Sequence, residues 1–194
     1  MTKRRALVLP SLIDSARVAA ILASRRRGVA LATSTGAFVV GRDGGETVRG
    51  PAGGPATIKA RTTTTGGTFA FLEVTVGPQD GPPQHVHARE DEMWYILEGH
   101  FRFLADGQLL EAPQGSFVFV PRGTAHCFQN LGSEDATILV MFTPAGMERF
   151  FEQHAQLPAG PVDPNRYREI AANNWMDVVG PPLAQSHPDV APRG

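Results

Sequence analysis

The sequence predicts an all-β fold, and three observations carry that expectation. From about residue 62, short runs of β-branched and aromatic residues recur with a two-residue period: 67–76 (GTFAFLEVTV), 93–99, 100–105, 116–121 and 136–142. Each run ends in a turn signal, the clearest being Asp106-Gly107 between two of them, a pair that favours a tight hairpin. Glycine (21) and proline (16) are enriched over the whole chain, enough for a turn-rich fold but short of low complexity. Many short antiparallel strands make a sandwich or a barrel. With 194 residues and no internal repeat, one β-domain with extensions at both ends is expected.

The elements follow in order. Residues 1–60 carry ten Lys/Arg against three Asp/Glu, a charge of +7, whereas the rest carries eight against sixteen, or −8. This basic head reads as a flexible or partly helical N-terminal extension. Within it, 12–27 is rich in alanine and leucine and ends in arginines before Gly28, as a helix C-terminus would. No aromatic residues interleave the arginines, so neither a nucleic acid nor a membrane is expected as partner; the charge keeps an acidic domain solvated. Pro10, Asp14 and Arg17 interrupt the apolar stretch that could have served as an export signal. With Cys127 the one cysteine, the expected location is cytoplasmic. Residues 41–59 hold glycine and proline too densely for regular structure and read as a linker or an arm wrapping the core. The β-domain is then 61–145, and 146–194 holds C-terminal helices and a tail. In 146–157, Met147, Phe150, Phe151 and His154 recur at helical spacing, so that helix should dock its Phe pair on a sheet. Asp163 and Pro164 fit the N-cap and first position of a second helix, and the chain from Pro181 reads as frayed.

The chemistry concentrates in "HVHAREDE", 85–92. If this stretch begins extended, His85 and His87 share a face, because strand side chains alternate. A β-hairpin would return Glu92, on one face with Trp94 and Ile96, alongside the two imidazoles. Two nitrogens and a carboxylate oxygen make a divalent transition-metal site with open positions. A fourth ligand is offered by His126. Arg89, Glu90 and Asp91 read as a solvated loop, His100 as exposed, and His154 and His187 as belonging to the tail. Cys127 should face away from His126 as a small buried residue, and Phe69, Phe71, Trp94, Phe101, Phe103, Phe119 and Phe128 as ordinary core.

Residues 81–99 resemble the first motif of the cupin superfamily, G(x)5HxH(x)3-4E(x)6G: His85, His87, Glu92 and Gly99 match, and Gly81 falls short of the ideal spacing. Residues 115–130 resemble the second, G(x)5PxG(x)2H(x)3N, with Gly115, Pro121, Gly123, His126 and Asn130 in place. The resemblance covers about 62–157. It implies a cupin jelly-roll barrel, a homodimer, and one divalent metal ion (Fe, Mn, Ni, Co, Cu or Zn) on His85, His87, Glu92 and His126. Such a site attracts anionic oxygens and eases deprotonation of an enol or phenol, with Glu92 as the catalytic base. The stretch "GPPQHVHAREDEMWYILEG" is most similar to quercetin-dioxygenase-like cupins, which implies a dioxygenase acting on an aromatic or enolic small-molecule substrate. A non-oxidative cyclase or isomerase, and a metal-containing binding module without turnover, stay open as alternatives.

Overall fold

The computed structural model describes residues 36–188. The helix expected at 12–27 lies outside them. Eleven strands and four short helices follow in order: β1 (Glu46–Arg49), β2 (Gly53–Ala60), α1 (Thr62–Thr65), β3 (Ala70–Val76), β4 (Pro83–His87), β5 (Asp91–Glu98), β6 (His100–Ala105), β7 (Gln108–Pro113), β8 (Phe117–Val120), β9 (His126–Asn130), β10 (Ala136–Thr143), α2 (Glu148–Ala155), α3 (Pro164–Asn173), β11 (Met176–Pro182) and α4 (Leu183–Ser186). The strands form two antiparallel sheets, one in the order β1-β2-β3-β10-β5-β8 and the other β11-β4-β9-β6-β7. No ladder joins the two sheets among the described residues, so the expected closed barrel is an open two-sheet jelly roll.

Period-two patterning decides which side chains fill the space between the sheets. In β3, Ala70, Leu72, Val74 and Val76 are buried, and in β10 Ala136, Ile138, Val140 and Phe142 are, each with less buried residues between. Trp94 and Ile96 of β5 and Phe101 and Phe103 of β6 complete the core. Each such side chain contributes about 1.5–3 kcal/mol by leaving water. The Asp106-Gly107 turn behaves as its sequence requires: both residues take positive φ (49° and 73°), and Ala105 faces Gln108 across the β6–β7 hairpin.

Two packing details position the site. At Gly81 any Cβ would fall inside the carbonyl oxygen of Phe128, so the loop before β4 lies flat against β9. Asn130, fully buried at the end of β9, donates to the carbonyls of Val76, Gly77 and Glu134 and accepts from the Gly132 N–H. The two N–H groups of this amide are shared among the three carbonyls, at the end of β3 and in the loops beside it, and fix where β9 ends.

Several expectations are corrected. Residues 41–59 are not a linker: β1 and β2 lie there, with register shifts on either side of Ala56–Ile58. The glycines serve close approach, since a Cβ at Gly54 would stand 2.6 Å from the Thr75 carbonyl oxygen, and the shifts broke the alternation that marks a strand. Phe119 is half exposed and Phe117 is exposed, because β8 is the sheet edge and both point outward. The C-terminal region contains a strand, β11, as well as helices. Of the segment read as frayed, residues 181–188 are described, and there Leu183 of α4 is buried against Leu104 and Cys127 on the second sheet. Burial raises the Cys127 thiol to about 11, in keeping with the small buried role expected of it.

The helices behave as their spacing requires. Met147, Phe150, Phe151 and His154 are all buried, with Phe151 against Phe142 at 6.2 Å between ring centroids, so His154 belongs to the docking face of α2 and not to a loose tail. Asp163 caps α3 by accepting from the Asn165 N–H at 2.9 Å, with Pro164 next. Glu148 ties α2 to α1, accepting from Thr62 N (2.8 Å), the Thr62 hydroxyl and Gly146 N (2.8 Å). No helix of the described residues is long and apolar enough to cross a membrane.

Candidate metal centre

The alternation of β4 turns His85 and His87 inward, and β9, paired to β4 with His85 opposite His126, adds a third imidazole. Glu92 arrives differently from the hairpin expected of it. Strand β5 belongs to the other sheet, so Glu92 meets the histidines across the interior and not beside them. The three-residue connection 88–90 crosses between the sheets, and sequence alternation could not tell that crossing from a hairpin turn.

One candidate ligand atom from each of the four residues lies within 4.8 Å of the others, and all four side chains are buried. Glu92 Oε2 stands 2.9 Å from His87 Nε2, 3.0 Å from His126 Nε2 and 3.8 Å from His85 Nε2. His85 Nδ1 lies 2.8 Å from the Pro83 carbonyl and His126 Nδ1 2.9 Å from the Thr124 carbonyl. Each ring therefore donates Nδ1–H to the backbone two residues earlier, which leaves the Nε2 lone pair aimed at the cluster. Trp94 packs edge-on to His126 and Phe142 edge-on to His87, closing the rings in on their apolar sides.

This donor set calls for a cation. An Nε2 lone pair facing a carboxylate oxygen at 3.0 Å is repulsive unless a positive charge stands between or on them. His87 states the same need from the other side: its Nε2 is close to Glu92 but out of line for a hydrogen bond, and neither of its ring nitrogens has a partner, although both are buried. Burial, reinforced by the charge of His126, pushes His85 down to about 4. Burial resists ionisation of Glu92, but the surrounding imidazoles, His87 foremost, outweigh it and hold the carboxylate well below its usual range. Burial likewise resists protonation of His126, and the Glu92 contact overcomes it, raising His126. Three imidazoles and one ionised carboxylate, buried and short of a counter-charge, fit a divalent transition metal.

A cavity of about 50 Å³ opens on this cluster. The rest of its lining is largely apolar, with Phe142, Met147, Phe150, Phe151 and Met176, and Tyr167 of α3 lines it too. Glu90, expected in a solvated loop, is buried beside this site. It pairs with Arg89 at 2.7 Å, which in turn donates to the Ala145 carbonyl, and burial raises the Glu90 carboxyl despite that partner. His100 is half exposed against Glu111, as expected. Tyr167 and the α2 wall escaped the sequence reading. The signal was there in the helical spacing of Tyr167, Ile170 and Ala171, but nothing in it says which cavity that face would cover.

Residues 72–142 match the family model for the cupin domain. This segment is a cupin domain. Similar chains include an uncharacterised protein of Streptomyces coelicolor, 36% identical over 61 residues that make up 31% of this chain and 56% of that one. Quercetin 2,3-dioxygenase of Bacillus subtilis is 30% identical over 91 residues, 47% of this chain and 26% of that one. Polyketide synthase CurC of Streptomyces cyaneus is 30% identical over 84 residues, 42% and 53% of the two. The cupin thus spans about half or less of the length of these relatives. The matched segment runs from β3 to β10 and contains His85, His87, Glu92 and His126, whereas β1, β2, α1, α2, α3, β11 and α4 lie outside it.

Proposed function

We propose that this cupin is a metal-dependent dioxygenase acting on an aromatic or enolic small molecule. The observation that carries the reading is the buried set of three imidazoles and one carboxylate, short of a cation, at the end of an apolar cavity. A bound divalent ion of a redox-active kind would supply Lewis acidity toward an enol or phenol oxygen and a coordination position for dioxygen. The chain's own groups do the rest. His85 and His126 each donate Nδ1–H to a backbone carbonyl, which turns Nε2 toward the cluster, so neither ring has to turn before binding. Glu92, ionised and buried, accepts the proton of an enol or phenol brought against it. The aromatic and methionine wall shields the cluster from bulk water. The likeness to a quercetin 2,3-dioxygenase supports this choice of reaction.

A second reading, non-oxidative cyclisation or isomerisation on the same scaffold, is favoured by the equal identity to a polyketide synthase protein. Oxygen-electrode measurements separate the two. Protein loaded in turn with iron, manganese, nickel, cobalt and copper is given a panel of flavonols and catechols, with products followed by mass spectrometry. Substrate-dependent oxygen uptake that vanishes in Glu92→Gln is the expected result; turnover without uptake gives the second reading, and neither in any metal form overturns both.

A further inference from the structure

The inner cavity is too small for the substrate class proposed above. At about 50 Å³ it holds a few water molecules or a diatomic gas, whereas a benzene-sized ligand needs about 150 Å³. A second space of about 520 Å³, within the range of small-molecule sites, lies on the outer side of α3, against β4 and β11. Its lining is mostly apolar, including Pro83, Val162, Val178 and Pro182, and Arg168 is its one charged side chain. A single residue lines both spaces, and it is Tyr167.

The state of Tyr167 suits a partition that moves. Its ring is held edge-on between Phe150, at 5.5 Å, and His154, at 6.0 Å, contacts that a rotation about its side-chain bonds would release without breaking a hydrogen bond. Its hydroxyl makes no hydrogen bond among the described residues. Burial first, then the charges of Glu92 and Asp80, raise that hydroxyl above its ordinary pKa, so it is a neutral donor near the metal-binding carboxylate. Arg168, exposed on the next position of α3, has no ion-pair partner among the described residues either. An unpaired guanidinium beside an apolar groove suits a carboxylate or similar anion.

We propose that the groove over α3 is the outer half of the substrate site, that Tyr167 is the gate between it and the metal centre, and that Arg168 holds an anionic group at the outer end of the substrate. This rests on the reading of the inner cluster as a metal site. It narrows the substrate to an elongated apolar molecule with an enol or phenol oxygen at one end and an anion at the other. The hydroxyl of Tyr167 then bonds to the substrate's inner oxygen once the ring has swung aside.

Two probes on the cobalt(II)-loaded protein test the proposal through the visible d–d bands, which report ligation without turnover. Azide is small enough for the inner cavity alone. 4′-Hydroxybiphenyl-4-carboxylate needs both spaces. The expected result is that each perturbs the bands of the wild type and that they compete. Tyr167→Trp, which enlarges the partition, weakens the biphenyl acid at least 10-fold, and Arg168→Ala weakens it about 10-fold while its azide affinity stays within about twofold. Cobalt retained at about one ion per chain shows that each variant is folded and loaded. Tyr167→Phe keeps the ring and loses the donor, so it weakens the biphenyl acid about threefold to tenfold. Unchanged biphenyl affinity in Tyr167→Trp, or failure of the acid to compete with azide in the wild type, overturns the gate. Unchanged affinity in Arg168→Ala overturns the anion anchor. If azide leaves the wild-type bands untouched, the metal-centre reading itself fails and the gate falls with it.

Discussion

Single residues here act through what they would leave behind. Removing His126 takes away a cation ligand and leaves Glu92 buried with one partner fewer, so His126→Ala should drop bound metal from about one ion per chain to well under a tenth. Elemental analysis of protein purified without chelator checks it, with far-UV dichroism to show that the sheets persist. Glu148 gives a pH signature. Burial alone would raise its carboxyl, but the Thr62 hydroxyl and the Thr62 and Gly146 N–H groups hold it below its ordinary 4.5. A group whose pKa is depressed on folding stabilises above its unfolded pKa and ceases to as the pH falls through its folded one. Glu148→Gln should therefore cost about 2 kcal/mol at pH 7, and the difference from wild type should shrink steadily below pH 4.5. Urea midpoints at pH 7, 5 and 3.5 measure it; a constant gap would mean that shape rather than charge sets the cost.

At the scale of elements, α2 is both wall and brace. Phe150 is 3% exposed, lines the inner cavity and packs on Phe151, His154 and Tyr167. Phe150→Ala should cost about 3–5 kcal/mol by denaturant titration, with the lower figure if α2 settles into the space. The helix is fastened at its far end by Arg49, which donates to the carbonyls of Leu157 and Pro158, and near its middle by the Arg61–Glu152 pair at 2.9 Å. The elements also show what a sequence can and cannot say. Strands β3, β5, β6, β8 and β10 and the Asp106-Gly107 turn were legible because a sheet with one buried face writes its period into the chain. The strands at 46–49 and 53–60 were not, since bulges and close-packed glycines erase that period. Strand β1 also packs against α2, about 100 residues away in the chain, and no local pattern records such a meeting.

At the scale of the whole molecule, the donor cluster brings polar groups of the two sheets together. His85, His87 and His126 stand on one sheet and Glu92 on the other, so an ion held by all four would link sheets that no backbone ladder joins. Loading should raise the thermal midpoint by several degrees, because at a free ion concentration of 1,000 Kd the folded state gains about 4 kcal/mol. Calorimetry before and after chelation measures the shift, and an unchanged midpoint would mean that the four groups do not act together. That they would meet was legible, because the motif spacing names all four residues; that they meet across the interior was not, because alternation fixes a face but not a partner sheet. One further consequence comes from how the imidazoles are aimed. His85 and His126 are anchored by the carbonyls of Pro83 and Thr124, groups that every residue type possesses. The ring orientations are thus independent of neighbouring side-chain chemistry, and the apolar lining can be rewritten, by mutation or by evolution, toward new ligands while the reactive centre keeps its bearing.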